Sequence, residues 1–360
     1  MRSLLHQLHE YAGATFRESG DWLIPDSYGD WTQEYAAGRE RVAIMDASHW
    51  GKVSMTGKDA QDLLNRLSTN ALMEAPPGTA IPTVLTSEKG RILDHILAYV
   101  HDATLTLLVS PGNTEAVVRW LDKYIILEDV KLADITSTLA VFSLIGPKAR
   151  ALVYKALGLT LDASHKGKVQ TCAFQGHEVW VSDTSLVHLS AVDVIVPAQA
   201  AHPLWQHLLQ EGRELGVAAL GDRAYQPLRI EAGTPLLGHD MGLDFNPLEA
   251  GLWDSVSFTK GCYIGQEVVA RLNTYQKVKR HLRTLHLSGD TPVPSGTRLI
   301  SNGEEAGLVT SWAYSPGEQN GVAIGYVNRK IEESNAPLKV PLKERELDAR
   351  IMNPTLVASK

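Results

Sequence analysis

The pattern of the sequence changes near residue 275, and this change limits the possible folds most strongly. Before it, helical and strand-like patterns alternate; after it, short strand candidates follow one another at residues 281–287, 306–313 and 322–327. Prolines and glycines separate these candidates, and helical patterns are nearly absent. Short strands punctuated in this way are typical of a small barrel or sandwich. We therefore expect a separate C-terminal β-barrel domain over residues 276–360.

The first 275 residues predict a mixture of helices and strands. Apolar spacing predicts helices over 59–67, 148–157 and 199–215, and one capped by Thr114. Strand-like runs cover 91–100, 104–109, 139–145, 169–174, 178–182 and 191–196. Gly176 predicts a hairpin between two of these runs. There is no GxGxxG or P-loop motif. The mixture favours two α+β lobes over a parallel doubly wound sheet.

Composition narrows the class of protein. Hydrophobic residues make up 44% and charged residues 21%, as in globular proteins. A net charge of −7 argues against a general nucleic-acid coat protein. The N-terminus has no apolar core of signal-peptide length, and no run approaches the roughly 18 apolar residues of a membrane span. Two cysteines give no disulfide framework. We expect a cytoplasmic monomer without membrane contacts.

The densest group of reactive residue types begins at Lys260. Cys262 lies between Gly261 and Gly265, and a neighbouring cation lowers the pKa of a thiol. Cys262 is therefore a reactive thiol tuned by Lys260, or a small buried hydrophobe in a tight turn set by the glycines. No second cysteine or close histidine completes a metal set, so we predict no metal site. The nearby polar residues could satisfy one another structurally: Gln266, Glu267 and Arg271.

Two carboxylates, Glu231 and Glu249, occur among small and apolar residues. A partly buried carboxylate suits a ligand with a row of N–H donors, such as a pterin ring. The structural alternative is that Arg229 or Arg223 pairs with Glu231 and fixes a turn.

A turn at Lys89-Gly90 enters an alternating strand that carries Asp94 and His95. Alternation places these two side chains on opposite faces, so one of them must look inward or into a cleft. Either group could handle a proton there. The alternative is an ordinary strand with one exposed edge.

A basic run follows, made of Lys277, Lys279, Arg280, His281 and Arg283. It could bind a polyglutamyl tail, a phosphate or RNA. A solvated linker is the favoured interpretation, because no aromatic residues are interleaved as on a nucleic-acid platform, and we regard RNA as an unlikely partner.

The motif Lys260-Gly261-Cys262-Tyr263-x-Gly265-Gln266-Glu267 resembles the signature of the folate-binding YgfZ/GcvT-like proteins. Other segments resemble the glycine-cleavage T-protein, an aminomethyltransferase: 42–49, 90–99, 228–233, 246–252 and 323–327. The resemblance covers nearly the whole chain. It implies a three-lobed cloverleaf around a central channel for tetrahydrofolate, with two intertwined α+β lobes in residues 1–275 and the barrel behind them.

The sequence departs from the T-protein at four places. Where that family has two successive aspartates, the second of them catalytic, this chain has Asp94 and His95. A Gly-Tyr-Thr-Gly-Glu segment is missing near 182–191. By the resemblance, a pterin-recognising glutamate falls on Asp193 and a pterin-site arginine on Tyr225. The candidate catalytic residues are thus Cys262, Lys260, His95 and Asp94, and the candidate folate-binding residues are Asp193, Tyr225, Glu249, Glu231 and Arg271.

These departures, with a thiol motif that T-proteins lack, favour a tetrahydrofolate-binding, YgfZ-like protein that supports iron–sulfur cluster assembly or repair and the tRNA modification that depends on it. Its partners would be folate and iron–sulfur proteins or assembly factors, with Cys262 as the reactive centre. The alternative is a tetrahydrofolate-dependent aminomethyl- or methyltransferase in which His95 replaces the aspartate. A third hypothesis is an RNA- or protein-binding module at the basic run.

Overall fold

The chain starts with a helix and a hairpin that lead into a central strand, in a computed structural model that describes residues 1–162, 165–188, 190–343 and 345–352. These elements are α1 (His6–Tyr11), β1 (Thr15–Ser19), β2 (Trp22–Ser27), α2 (Trp31–Glu40) and β3 (Val42–Asp46). The Asp30 carboxylate caps α2 by accepting a hydrogen bond from the Thr32 amide at 2.9 Å. Every residue of β3 is buried, which suits a strand inside a sheet.

The first lobe is a five-stranded antiparallel sheet with two helices against it. Its elements are β4 (Gly51–Thr56), α3 (Ala60–Leu67), β5 (Thr79–Thr86), β6 (Ile92–Val100), β7 (Thr104–Val109), α4 (Thr114–Asp122) and β8 (Lys131–Asp134). The strand order is β5-β6-β7-β4-β8. Leu63, Leu64 and Leu67 of α3 are buried at helical spacing and join the core of this lobe.

The second lobe has a six-stranded sheet of order β10-β11-β12-β9-β3-β13. Its further elements are β9 (Leu139–Ile145), α5 (Ala149–Leu157), β10 (Val169–Phe174), β11 (His177–Ser182), β12 (Val192–Pro197), α6 (Ala198–Glu211), β13 (Val217–Ala219) and α7 (Asp222–Glu231). β3 pairs with β9 and β13, so the first lobe is inserted between two neighbouring strands of the second. The lobes are therefore interwoven along the chain.

The C-terminal part is a closed barrel of order β14-β17-β16-β15-β18-β19. A helix precedes it, and the elements are α8 (Gln266–Thr274), β14 (Arg280–Leu287), β15 (Arg298–Ser301), β16 (Glu304–Ser315), β17 (Asn320–Asn328), α9 (Arg329–Ser334), β18 (Leu338–Pro341) and β19 (Glu346–Ile351). Pairing of β14 with β19 closes the barrel. Its interior is apolar and has its own core cluster.

The predicted α+β fold with a C-terminal barrel is confirmed. β7, β9 and β10 begin and end where the sequence predicts, and Gly176 lies in a β10–β11 turn with φ of +82°. Thr114 is the first residue of α4 rather than its cap, because Asn113 occupies the cap position. The helix predicted to 215 ends at Glu211 and continues as a 3-10 turn. The division of the chain at residue 275 stays a prediction.

Five helices of the described residues were not predicted from the pattern: α1, α2, α7, α8 and α9. α7 contains an internal proline, Pro227, and buries polar side chains such as Arg229, which obscures its apolar stripe. Among the residues that the structure describes, no helix is long and apolar enough to cross a membrane.

Candidate functional site

Residues 257–265, which we call the thiol strap, cross from the end of the second lobe back onto the first. The Ser257 amide donates a hydrogen bond to the Thr69 carbonyl at 2.9 Å, and the Ile264 amide donates to the Arg66 carbonyl at 3.2 Å. The Thr86 hydroxyl donates to the Ile264 carbonyl at 2.5 Å. Both ends of the strap are therefore fixed to α3 and β5.

Lys260 fastens the middle of the strap. Its ammonium donates to the backbone carbonyls of Asn65, Ser68 (2.8 Å) and Asn70 (2.7 Å). Carbonyls at a helix C-terminus lack partners inside the helix and attract cations. Burial lowers the pKa of Lys260 to about 8. None of these three contacts involves the thiol, so they give the predicted tuning of Cys262 by Lys260 no support.

Gly265 ends the strap at the start of α8. Its φ is +82°, and a Cβ there would lie 2.6 Å from the Ser87 carbonyl oxygen. Only glycine accepts both the left-handed backbone and this close approach. The strap therefore sits against the turn between β5 and β6.

Cys262 is exposed on this strap, and it is a free thiol. The alternative of a small buried hydrophobe is wrong for this residue. Cys262 also lies outside the two cavities described below. The backbone of the strap therefore places the Cys262 sulfur in contact with solvent.

Asp94 is buried on β6 and held by three donors. The Ser110 hydroxyl donates to Oδ1 at 2.6 Å, and Oδ2 accepts from the Asn113 side-chain amide at 2.9 Å and the Ser110 amide at 3.2 Å. Burial nevertheless raises the pKa of Asp94 to about 6, because desolvation outweighs these bonds. Asp94 can therefore hold or release a proton near neutral pH.

His95 faces a different partner. Its Nε2 lies 2.8 Å from the hydroxyl of Ser255, in the 3-10 turn Trp253–Ser255 that leads into the thiol strap. Burial lowers the pKa of His95 to about 4, so its imidazole is neutral at physiological pH. It places no negative charge at a position where the T-protein resemblance expects a carboxylate.

Asp193 is fully buried on β12 and only half satisfied. Oδ1 accepts from the Ser143 hydroxyl at 2.6 Å, whereas Oδ2 has no hydrogen bond of good geometry among the described residues, although the nearby Ser185 hydroxyl lowers the pKa of the carboxyl group. Burial raises the pKa of Asp193 to about 7. The Tyr99 hydroxyl is likewise buried without a described partner, and burial together with the charge of Asp193 raises the pKa of Tyr99. Two polar groups with unused hydrogen-bonding capacity thus lie near each other between the lobes.

Tyr225 of α7 connects this region with a cavity of about 370 Å³. Its hydroxyl donates to the Val187 carbonyl, and its ring lies in the same apolar cluster as Tyr99. Burial raises the pKa of Tyr225. We call this space the junction cavity, because the hairpin β1–β2, both lobes and the barrel contribute to its lining: Arg17, Ser19, Ile24, Met45, His49, Trp50, Pro111, Asp222, Tyr225, Gln226, Arg229, Leu236, His239, Val293, Ser295, Thr310, Ser311 and Trp312.

The junction cavity has aromatic walls and unsatisfied donors. Trp50 and Trp312 line it, and the indole N–H of Trp312 and the Nδ1 atom of His49 have no described hydrogen-bond partner. Burial lowers the pKa of His49, which keeps it neutral. Arg17 pairs with Asp222 on one wall. A planar ligand with polar edges matches such a lining.

Glu231 lies away from the junction cavity. It accepts hydrogen bonds from the hydroxyls of Tyr35 (2.7 Å) and Ser315 (2.5 Å), with Arg39 3.6 Å away. The predicted pairing with Arg229 or Arg223 is wrong, because Arg229 binds Asp240 instead. Glu231 therefore joins α2, α7 and the barrel.

Glu249 is buried beside two arginines. Arg280 Nε lies 3.2 Å from it and Arg91 3.7 Å, and the Asn246 amide donates to it at 3.1 Å. Arg280 also covers the rings of Phe245 and Tyr326. The negative charge of Glu249 is therefore balanced by arginines of the chain itself.

The predicted basic run is largely neutralised as well, since His281 and Arg283 both pair with Glu332. Arg271 is exposed on α8 and lines neither cavity. Within residues 1–162, 165–188, 190–343 and 345–352, no three His, Cys, Asp or Glu side chains are placed to hold a metal ion.

Sequence reasoning missed most of the junction cavity. Trp50, Asp222 and Trp312 come from three distant parts of the chain, and no local pattern connects them. The signals all came from the resemblance to the T-protein: the segment 42–49, which ends at His49, the segment 228–233, which contains Arg229, and the pterin-site position that falls on Tyr225.

Comparisons with known proteins agree with this architecture. The family model described as the GCVT N-terminal domain matches residues 5–260, and that of the glycine cleavage T-protein C-terminal barrel domain matches residues 280–357. An aminomethyltransferase of Chlorobium luteolum is 33% identical over 347 residues, with 95% of this chain and 94% of the relative covered. A putative chloroplastic transferase of Arabidopsis thaliana is 31% identical over 290 residues, with 80% and 66% covered.

A solved structure has the same fold. The crystal structure of the glycine cleavage system aminomethyltransferase T from Bartonella henselae gives a TM-score of 0.85 at 23% identity, over 98% of this chain and 97% of that one.

Replacing Lys260 with methionine should destabilise the protein by roughly 2 kcal/mol, since three carbonyls lose a charged donor. Urea unfolding of both proteins measures this difference. Lys277→Met is the matched control, because the Lys277 ammonium lies over the exposed Tyr275 ring, 5.0 Å from its centroid. Equal losses of stability in the two variants would contradict the role of Lys260 as the strap's anchor.

Proposed function

Because the chain belongs to the glycine-cleavage T-protein (GcvT) family, we propose that it binds tetrahydrofolate between its lobes and acts as a one-carbon transferase of the T-protein type. One observation carries the proposal: the unpartnered oxygens of Asp193 and Tyr99, both buried between the lobes. Leaving such groups unpaired costs about 1–3 kcal/mol each, so a ligand that pairs with them binds favourably.

The donor set fits a pterin. An ionised carboxylate only accepts hydrogen bonds, and a pterin edge offers adjacent N–H donors. Oδ2 of Asp193 could accept a hydrogen bond from such a donor. Asp193 and Tyr99 do not line the junction cavity themselves, but Tyr225, which packs in the same apolar cluster as Tyr99, does. There Trp50 and Trp312 would flank the rest of the ligand, and Arg17, which is half exposed, would stand at the opening for its carboxylates.

The bound folate would supply the nitrogen atoms that carry the one-carbon unit. The chain would supply the proton-handling group, for which Asp94 is the best candidate. Its pKa of about 6 lies close to neutral pH, and Ser110 and Asn113 fix the orientation of its carboxyl group. The names of the aminomethyltransferase relatives support the same reaction type.

Asp193→Asn should weaken tetrahydrofolate binding roughly tenfold to a hundredfold, because a carboxylate acceptor is lost. With a pKa of about 7, Asp193 must lose its proton to accept fully, so wild-type affinity should rise as pH increases through neutrality. The affinity of the variant should lose this dependence. Calorimetric titration across this pH range under reducing conditions measures both effects.

The same substitution should also change how the stability of the fold depends on pH. The raised pKa means that the protonated form of Asp193 stabilises the fold below about pH 4, and that this contribution is lost as pH rises to about 7. Asp193→Asn should therefore flatten the stability profile in this window. Asp122→Asn, at an exposed position on α4, is the matched control.

An unchanged folate affinity in Asp193→Asn would refute the proposed site.

Asp94→Asn tests the transferase step. It removes the proton but keeps a similar shape, so we expect about 10²–10⁴-fold slower one-carbon transfer to tetrahydrofolate with nearly unchanged folate affinity. Single-turnover assays with purified protein and an aminomethyl donor measure the rate. If the wild-type protein transfers no one-carbon group from any donor in a broad panel, the transferase proposal fails while folate binding stands.

A second candidate function is support of iron–sulfur proteins by a folate-binding, YgfZ-like protein, and the thiol strap favours it. Lys260 and Gly265 hold a segment whose only exposed soft nucleophile is Cys262. The neutral His95 supports the same candidate, since the negative charge expected of a T-protein is absent at its position. In this function Cys262 would react with a thiol or cluster-bearing partner outside the folate cavity.

Cys262→Ala should abolish that support in cells and leave tetrahydrofolate affinity unchanged, because the thiol lines neither cavity. Iron–sulfur enzyme activities in a strain that depends on the variant give the readout. Cys172→Ala, which removes the partly buried second cysteine, is the control. Full enzyme activities with Cys262→Ala would exclude this second function.

A further inference from the structure

A second cavity, of about 680 Å³, opens on the second lobe. It lies between the end of α2, the loop at Gly146, the start of α5, the loop after β11 and the end of α7. We call it the lobe cavity. It shares no lining residue with the junction cavity, so the proposed folate site does not account for it.

Asp183 is the unusual group in the lobe cavity. Its side chain is only 2% exposed, and neither carboxylate oxygen has a hydrogen-bond partner among the described residues. The nearest cation is Arg150, whose Nη2 atom lies 3.5 Å from Oδ2, beyond good hydrogen-bond geometry. A buried carboxylate in this state is costly unless a donor reaches it. The lining of the cavity therefore lacks a donor at this point.

Positive groups line the same cavity as Asp183. Arg150 is 56% exposed on α5, and Lys166 is exposed on the same lining. α5 begins at Ala149 without a side-chain cap, and although the Ala149 amide donates to the Gly146 carbonyl at 3.0 Å, the start of the helix keeps the partial positive charge of its dipole. An anionic group has several donors here, adjacent to the point where Asp183 needs one.

The remaining charges of the lobe cavity are already compensated. Arg39 binds Tyr35 and Glu318, and Glu231 binds Tyr35 and Ser315. His188 is buried and bonded to Ser190, and burial lowers its pKa to about 4, so it adds no charge. Among the described residues that line this cavity, Asp183 is the carboxylate without a hydrogen-bond partner.

We infer that the lobe cavity binds the zwitterionic end of an α-amino acid, with the ammonium on Asp183 and the carboxylate on Arg150 and the start of α5. The 3.5 Å separation between Asp183 and Arg150 favours this class of ligand. An α-amino acid carries its ammonium and its carboxylate on the same carbon atom, so its two opposite charges lie equally close together. The volume of the cavity beyond this point leaves room for a side chain.

Equilibrium dialysis with labelled glycine tests the inference, with methylammonium and acetate as probes of each charge alone. Wild-type protein should bind glycine more tightly than either single-charge probe. Asp183→Asn and Arg150→Gln should each weaken glycine binding about tenfold or more, the loss of one charge-assisted hydrogen bond. Both variants should bind tetrahydrofolate like wild type.

Lys155→Gln is the matched control on α5, since Lys155 pairs with Glu214 and does not line the lobe cavity. Arg150→Gln changes an exposed side chain and stays informative if Asp183→Asn fails to fold. Three results would overturn the inference: no glycine binding by wild type, equal binding by acetate and glycine, or unchanged glycine binding in Arg150→Gln.

Discussion

The position of the barrel against the second lobe depends on one buried ion pair, between Arg229 and Asp240. Arg229 projects from α7 of the second lobe, and its guanidinium donates to Asp240 at 2.7 Å and to Ser311 of the barrel at 2.8 Å. Asp240 also accepts from the Thr310 hydroxyl at 2.5 Å. Removing one partner of such a pair leaves a buried charge, at a cost of about 3–5 kcal/mol. The barrel is thereby held against α7, and Arg229, Thr310 and Ser311 of this contact form part of the wall of the junction cavity.

The thiol strap makes a second connection between parts of the molecule. Because of its position, the candidate thiol site and the candidate folate site lie in separate places. Lys260 and Gly265 press the strap onto the first lobe, and His95 touches the turn just before it. Asp193, by contrast, lies on β12 of the second lobe's sheet and accepts a hydrogen bond from Ser143 of the neighbouring strand β9. A folate-linked reaction and a thiol reaction could therefore be altered independently, although both sites rest on the same pair of lobes.

Local pattern predicted much of the fold because strand alternation and helical stripes reflect one-sided burial. It located β7, β9 and β10, whose sequences read as strands without reference to the rest of the chain. It missed α7, since Arg229 and other polar residues of that helix are buried against partners far away in sequence. The site followed the same rule: adjacency suggested that Lys260 serves Cys262, but carbonyls at the end of α3 lie closer in space.

The sequence alone determined the α+β lobes, the C-terminal barrel, the thiol motif and the list of carboxylates worth considering. Only the tertiary structure decided which of those carboxylates remain available. Glu249 and Glu231 are satisfied by Arg280 and by Tyr35 with Ser315, whereas Asp193 keeps an unpaired oxygen, as does Asp183, which the sequence did not single out. The physical reason is that the local pattern of apolar and polar residues predicts which side chains are buried, whereas the partner of a buried charge lies on a distant segment of the chain. A sequence therefore shows which groups could bind a ligand, and the fold determines which of them still can.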